Sequence, residues 1–467
     1  MSASLTGFEW TLLRRDRRAW WALLCLGALV LIAFAVDMAA IVDANAAKAD
    51  IARAERARWL GQGEKDPHSA AHYSIFAFKP TSPLAALDLG VEPFVGQTVW
   101  LEAHVQNDML YRPQGEASAL QRAGLSSPAS LLIGFAPLVA FLLAFTAVAM
   151  DRERGTLRLA LGAALRPREI VASKAAAIWL ALVWVLLVPV TAIAAIATAV
   201  LGALDATAAL RLVLWAAAMA VYLGVLTALG LAVSMLAGSV RSALAVLFGL
   251  WIAFGLALPR WANSAVESVQ PLPSTQTVKQ QLLDEAPSYW TAEDAKKHQA
   301  TLLAKYGAKD PADLRVDLRG AELDLSERHS HEVFDRVLGG FYDRVVAQDR
   351  AYAMLGWLSP TAAMQSLSPM LAGSDFVHHR RFIDGAERYR RALVNRMNQD
   401  VMAHPTGEGG AKHTNDASLW AQIPEFRHPA PSLSANWRHT APAAAALLAW
   451  SLAALALLAL AARRLRP

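Results

Sequence analysis

The chain of 467 residues holds a single cysteine, Cys25, so no disulfide can form within it. Charge is scarce as well. Lys, Arg, Asp and Glu make 18% of the residues, against about 25% in a soluble globular chain. No stretch reads G-x-x-x-x-G-K-[ST]; the nearest, GQGEKD at 61–66, has the wrong spacing, so the chain carries no phosphate-binding loop of that type. A zincin helix is missing too: His331-Glu332 is followed by Val-Phe-Asp, and H-E-x-x-H fails at its last position. Neither Ser-His-Asp nor Cys-His catalysis has a local signature, and Cys25 lies inside an apolar run, where a thiol packs as a small hydrophobe. These gaps argue against a self-contained nucleotide hydrolase and leave no catalytic constellation for an enzyme.

What the chain has instead is hydrocarbon. Apolar residues make 55% of it and mean hydropathy is +0.30. Apolar runs fall at about 19–41, 128–150, 175–200, 211–236, 241–258 and 441–462. A bilayer core of ~30 Å needs ~20 helical residues, so these runs predict six spans. The expected class is an all-α membrane protein with six transmembrane helices per protomer. The fifth run, bounded by Arg241 and Pro259, is short, and only Ala237 to Val240 separate it from the fourth, which predicts a tight hairpin. The first is too long for a signal-peptide core and lacks a convincing cleavage site, so it is read as retained.

Net charge is +5 and the isoelectric point about 9.3. These basic residues cluster beside the spans, which fits membrane orientation better than nucleic-acid binding. Arg14, Arg15, Arg17 and Arg18, then Arg152, Arg154, Arg158, Arg166, Arg168 and Lys174, then Arg241, then Arg463, Arg464 and Arg466 all fall on one side if there are six spans. That side is expected to be the cytoplasm, with both termini in it (residues 463–467 forming the tail). Residues 1–18 read either as an interfacial helix or as a basic anchor without structure.

The opposite side then holds two insertions, 42–127 and 259–440, large enough to be a mixed, mainly helical extracytoplasmic domain. DANAAKADIARAERARW is expected to prolong the first span as a helix, while HYSIFAFKPTSPLAALDLG and FVGQTVWLEAHV alternate like strands with turns. Apolar residues at Phe334, Val337, Leu338, Phe341, Val345 and Val346, and again from Phe382 to Val401, repeat at three and four. The first insertion, around Phe94, Val95, Val99, Trp100 and Leu101, is expected to cover both faces. Residues 403–440 read as an irregular return to the membrane.

Between the second and third runs lies MDRERGTLRLALGAALRPREIVASK, residues 150–174. Leu157, Leu161 and Leu165 repeat at four, with Arg152, Glu153, Arg154 and Arg158 mostly off that stripe, which predicts a short amphipathic helix along the membrane. Gly155 permits a turn or a close approach. Glu153-Arg-Gly155-Thr156-Leu157, then Arg166 and Arg168, then Ser173-Lys174 opening the third span, resembles the ABC-2-type transporter permeases, whose loop after the second span reads E-x-G-T-L. The resemblance implies that 151–174 carries a coupling helix, with Asp151, Glu153, Arg154, Gly155, Thr156, Leu157 and Leu161 at the interface with an ATPase subunit. It further implies two ATPase chains that bind ATP and Mg, no cofactor in this chain, and a second permease copy or paralogue. The insertions resemble those of a subgroup with a large extracytoplasmic domain of unknown function, which would offer a surface to a periplasmic partner. The expected function is a permease of the bacterial inner membrane, in contact with lipid and most simply an exporter. The alternative is a subunit that transmits force to an envelope partner without passing cargo.

All twelve histidines (His68, His72, His104, His298, His329, His331, His378, His379, His404, His413, His428 and His439) lie in the insertions. Imidazole is a common metal ligand, and His68 with His72 is spaced to share a helical face. Pro67 argues against an established helix there, and neither this pair nor His329 with His331 completes a ligand set, so no metal site is expected. Asp37 and Arg211 sit near span ends, where snorkelling explains them. Pro137 and Pro189 are read as kinks in the second and third spans.

Overall fold

The computed structural model describes residues 2–113, 127–163, 165–286, 292–314, 316–405, 413–429 and 433–465. Parts of the expected return segment, 406–412 and 430–432, therefore lie outside the described residues. Helix α1 (Ser2–Arg15) stops at Asp16, whose carboxylate accepts from the amides of Arg18 and Ala19 and caps α2 (Arg17–Leu60). The 44 residues of α2 continue well past any membrane-spanning length, because the Ala-, Arg- and Glu-rich stretch after the apolar run favours helix strongly. Next comes α3 (Pro67–Ala71), capped by Asp66 through the Ser69 amide at 3.0 Å. Here Pro67 starts a helix rather than forbidding one: at the first helical position its missing amide costs nothing. Strands β1 (Ile75–Phe78), β2 (Thr98–Leu101) and β3 (Gln106–Leu110) form an antiparallel sheet, with Ile75 opposite Leu101 and Thr98 opposite Leu110.

The second apolar run is α4 (Pro128–Ala144) followed, after a break, by α5 (Ala149–Glu153) and α6 (Thr156–Gly162). Then come α7 (Pro167–Val200), α8 (Ala206–Leu236) and α9 (Val240–Val269). Both α7 and α9 contain a π turn, Val183–Leu187 and Ala253–Ala257, just ahead of Pro189 and Pro259. Proline lacks the amide a helix expects and crowds the carbonyl four residues back; the wider turn accommodates both. The fifth run therefore passes through Pro259 instead of ending at it. The second insertion supplies α10 (Thr275–Glu285), α11 (Ala292–Tyr306), α12 (Leu318–Met354), α13 (Pro360–Ala372), α14 (Phe376–Ala403) and α15 (Ala417–Trp420). Helix α16 (Leu433–Arg463) closes the chain and begins before the apolar run proper.

Among the described residues, six helices are long and apolar enough to cross a membrane: Arg17–Leu60, Pro128–Glu153, Pro167–Val200, Ala206–Leu236, Val240–Val269 and Trp437–Arg463. The chain is thus a helical, multi-pass membrane protein. At the centre stands α8, with Met219, Tyr222 and Leu223 fully buried. It crosses α4 so closely at Gly230 that a Cβ there would lie 2.6 Å from that of Ala144.

The two insertions share apolar cores. Trp59 and Ile75 pack with Leu393, Met397 and Trp420, while Val99, Leu101 and Met109 of the sheet pack on Phe382, Ile383 and Ala386 of α14. The 382–401 face thus meets the first insertion. The 334–338 face instead finds Val278 of α10, within its own insertion, and Phe94 is 61% exposed. Helix α13 joins the core of the spans through Ala363, Met364, Leu367, Met370 and Leu371. Arg211 does not snorkel to water: it is buried, donating to the Met370 carbonyl at 2.8 Å and to His378 Nε2 at 2.9 Å.

Candidate functional site

Span two loses its helix at 145–148, and a residue of α8 repairs the break. The amides of Val148 and Ala149 donate to Ser234 Oγ at 3.2 and 3.1 Å, while that hydroxyl donates to the Phe145 carbonyl at 2.9 Å. Ser234 is fully buried. Ser234→Ala leaves two amides without this acceptor, an expected loss of about 1–3 kcal/mol. Thermal unfolding of the purified protein checks this, and an unchanged transition would show that the break is held by something else.

Beyond the break, side chains tie the segment to the hairpin of spans four and five. Arg152 donates to the carbonyls of Ala237, at 2.7 Å, and Met235, binding the end of α8. Glu153 accepts from the Val240 amide at 2.8 Å, on the first turn of α9, where a carboxylate also meets the positive end of the helix dipole. Asp151 lies 3.0 Å from Lys174 Nζ, which is also 3.0 Å from Glu9 of α1. That ion triad holds the N-terminal helix against span three, so of the two readings for residues 1–18 the structure has the helix.

Asp151 Oδ1 accepts from the Thr156 hydroxyl at 3.1 Å across the turn between α5 and α6. The turn depends on Gly155 at φ +76°, a left-handed conformation. Space is not the constraint there, since nothing lies within 4 Å of where a Cβ would stand; the backbone angle is. Leu157 is buried in the core of the spans and Leu161 packs partly against it, as their spacing predicts.

The structure therefore divides the expected interface. Asp151, Glu153, Thr156, Leu157 and Leu161 make contacts within the chain. Arg154 and Arg158 are exposed, and so is Leu159, at 74%. Leu159 escapes a reading based on the 157–161–165 stripe because it falls between the repeats; its signal is an unpartnered leucine beside two arginines. Arg152 and Ser234 are the other residues that periodicity alone does not mark.

A family model described as ABC-2 family transporter protein matches residues 4–466, nearly the whole chain. The chain belongs to that family. No curated protein and no solved structure matches it. Permeases of this family are membrane subunits that work with an ABC ATPase, and the tip formed by α5, Gly155 and α6 connects directly to spans two to five of this permease.

Proposed function

We propose that this permease couples ATP hydrolysis, carried out by two separate ATPase chains, to outward movement of a substrate across the bacterial inner membrane. Its termini and residues 151–174 face the cytoplasm, and the insertions face the periplasm. A second permease copy or a paralogue completes the transporter, and ATP with Mg belongs to the ATPase. The carrying observation is the tip itself: Arg154, Arg158 and Leu159 project outward, while their roots at Arg152, Glu153 and Asp151 are bonded to spans three, four and five. A push on the tip thus reaches those spans without passing through a loose loop.

Leu159→Asp tests the docking. The side chain is exposed, so insertion and folding are expected to persist. ATPase copurification should fall roughly tenfold or more, the loss of an interface anchor worth at least ~1.4 kcal/mol. Unchanged recovery, hydrolysis and transport would remove the tip from the interface. Glu153→Arg is a less clean probe, because it also removes the acceptor of the Val240 amide at the start of α9.

The second reading, force transmission without cargo, draws on α13. Trp215 Nε1 donates to Ser368 Oγ at 2.9 Å, Ser368 Oγ donates to Asp88 at 2.5 Å, and Trp450 Nε1 donates to the Gly356 carbonyl at 3.0 Å. These bonds fasten the insertions to spans four and six. A periplasmic protein captured through the insertions, with no ATP-driven flux in vesicles, decides for this reading.

A further inference from the structure

We propose that His68, His72 and His104 form a binding site for a divalent first-row transition ion of the zinc class. The site begins with local sequence. Asp66 and Pro67 start α3, which places His68 in its first turn and His72 one turn later on the same face. His104 arrives from the turn between β2 and β3. The three rings meet with centroids 4.8, 5.1 and 4.7 Å apart, and one nitrogen from each lies within 4.8 Å of the others.

Two of the three nitrogens already stand at ligand spacing. His68 Nε2 and His72 Nε2 face each other at 3.1 Å, against about 3.3 Å for two ligands of a tetrahedral ion with bonds of ~2.0–2.1 Å. Behind His68, Nδ1 lies 2.9 Å from Oδ1 of the buried Asn398. Behind His104, Nδ1 lies 2.5 Å from Oε1 of Glu327, which is 1% exposed. Both oxygens accept a hydrogen bond from the ring Nδ1–H, so in these two rings Nε2 carries the lone pair. Metal-ligating imidazoles are typically held this way, with the far N–H on a carboxylate or carbonyl. With the lone pair on His68 Nε2, the 3.1 Å contact is an N–H···N hydrogen bond from His72, and a metal ion would take the place of that shared proton.

The ligand chemistry follows. Three neutral imidazoles suit zinc, copper(II) or nickel rather than magnesium or calcium, which take oxygen ligands. His72 is exposed, so a fourth position opens to water, the feature that separates an exchangeable or reactive site from a closed structural one. The ligands come from the first insertion, but the residues holding their outer nitrogens come from α12 and α14 of the second. Bound metal would therefore stabilise the joint between the insertions. A second trio, Asp400, His404 and His413, is less suited. Its histidines stack at 3.9 Å, His413 Nε2 is bonded to Asp400 at 2.8 Å, and Arg396 lies 3.6 Å from the same carboxylate.

The test uses the full-length permease, purified without a histidine tag, stripped with chelator and titrated with zinc against a chromophoric competitor, then with cobalt(II). Wild type is expected to take one zinc per chain and to give the intense visible bands of four-coordinate cobalt. His72→Ala, a change at an exposed position, should weaken zinc by at least the ~10–100-fold seen when supporting residues are lost and abolish the cobalt bands. His404→Ala with His413→Ala should change neither. The proposal falls if wild type takes up no zinc, if His72→Ala binds like wild type, or if the double variant is the one that loses the metal.

Discussion

Arg390→Met is expected to cost about 3–5 kcal/mol, the penalty for leaving buried partners of an ion pair without their cation. Arg390 is 1% exposed. Its guanidinium grips Glu387 at 2.7 and 2.8 Å and donates to the Ala103 carbonyl at 2.6 Å, with Glu327 at 3.9 Å. Burial works against the charge on Glu327, yet the hydrogen bond from His104, the nearness of His331 and the charge of Arg390 outweigh it and hold that carboxyl well below the usual range. The cost falls mainly on Glu387, which loses two hydrogen bonds and keeps only Arg391 at 2.7 Å, and on the Ala103 carbonyl, while Glu327 keeps His104. Hydrogen exchange should show amides of β2, β3 and α14 losing about a hundredfold or more in protection, at a factor of ten per 1.4 kcal/mol. Arg391→Met, removing a more exposed pair, should cost only ~0–1 kcal/mol. Equal effects of the two substitutions would show that burial is not what makes Arg390 matter.

Trp59→Ala should be as damaging, about 3–5 kcal/mol for a large ring removed from a closed core. Trp59 is fully buried at the far end of α2, edge-on to Trp420 at 6.2 Å, and its Nε1 donates to the Trp420 carbonyl at 2.9 Å. Trp420 in turn donates to the Gly63 carbonyl at 3.1 Å. With a urea slope of ~2 kcal/mol/M, the unfolding midpoint of the insertions should fall by roughly 2 M. A midpoint within experimental error of wild type would mean that the two insertions do not depend on this contact.

The spans and strands were legible because length and period are properties of a local stretch: a run of hydrocarbon, or an alternation such as IFAF and TVWL. Leu157 and Leu161 were legible for the same reason. What escaped was fixed by residues distant in the chain. The break at 145–148 is made good by Ser234, and Glu153 meets Val240 through a hairpin that returns 87 residues later. Two prolines depart from the role of helix breaker, since Pro67 initiates a helix and Pro259 is absorbed by a π turn. His104 joins His68 and His72 only because an antiparallel turn brings it back, and no spacing in the sequence encodes that meeting.

The unbroken helix from Arg17 to Leu60 has a mechanical consequence. At 1.5 Å per residue it is a rod ~66 Å long, about twice the thickness of the hydrocarbon it crosses. Were it to pivot near the bilayer midplane, it would be a lever whose longer arm ends at Trp59. A tilt of about 5° there would carry Trp59 sideways by about 4 Å over the ~43 Å to the pivot. That is a displacement on the scale of a helix turn, delivered to the seam where the two insertions meet.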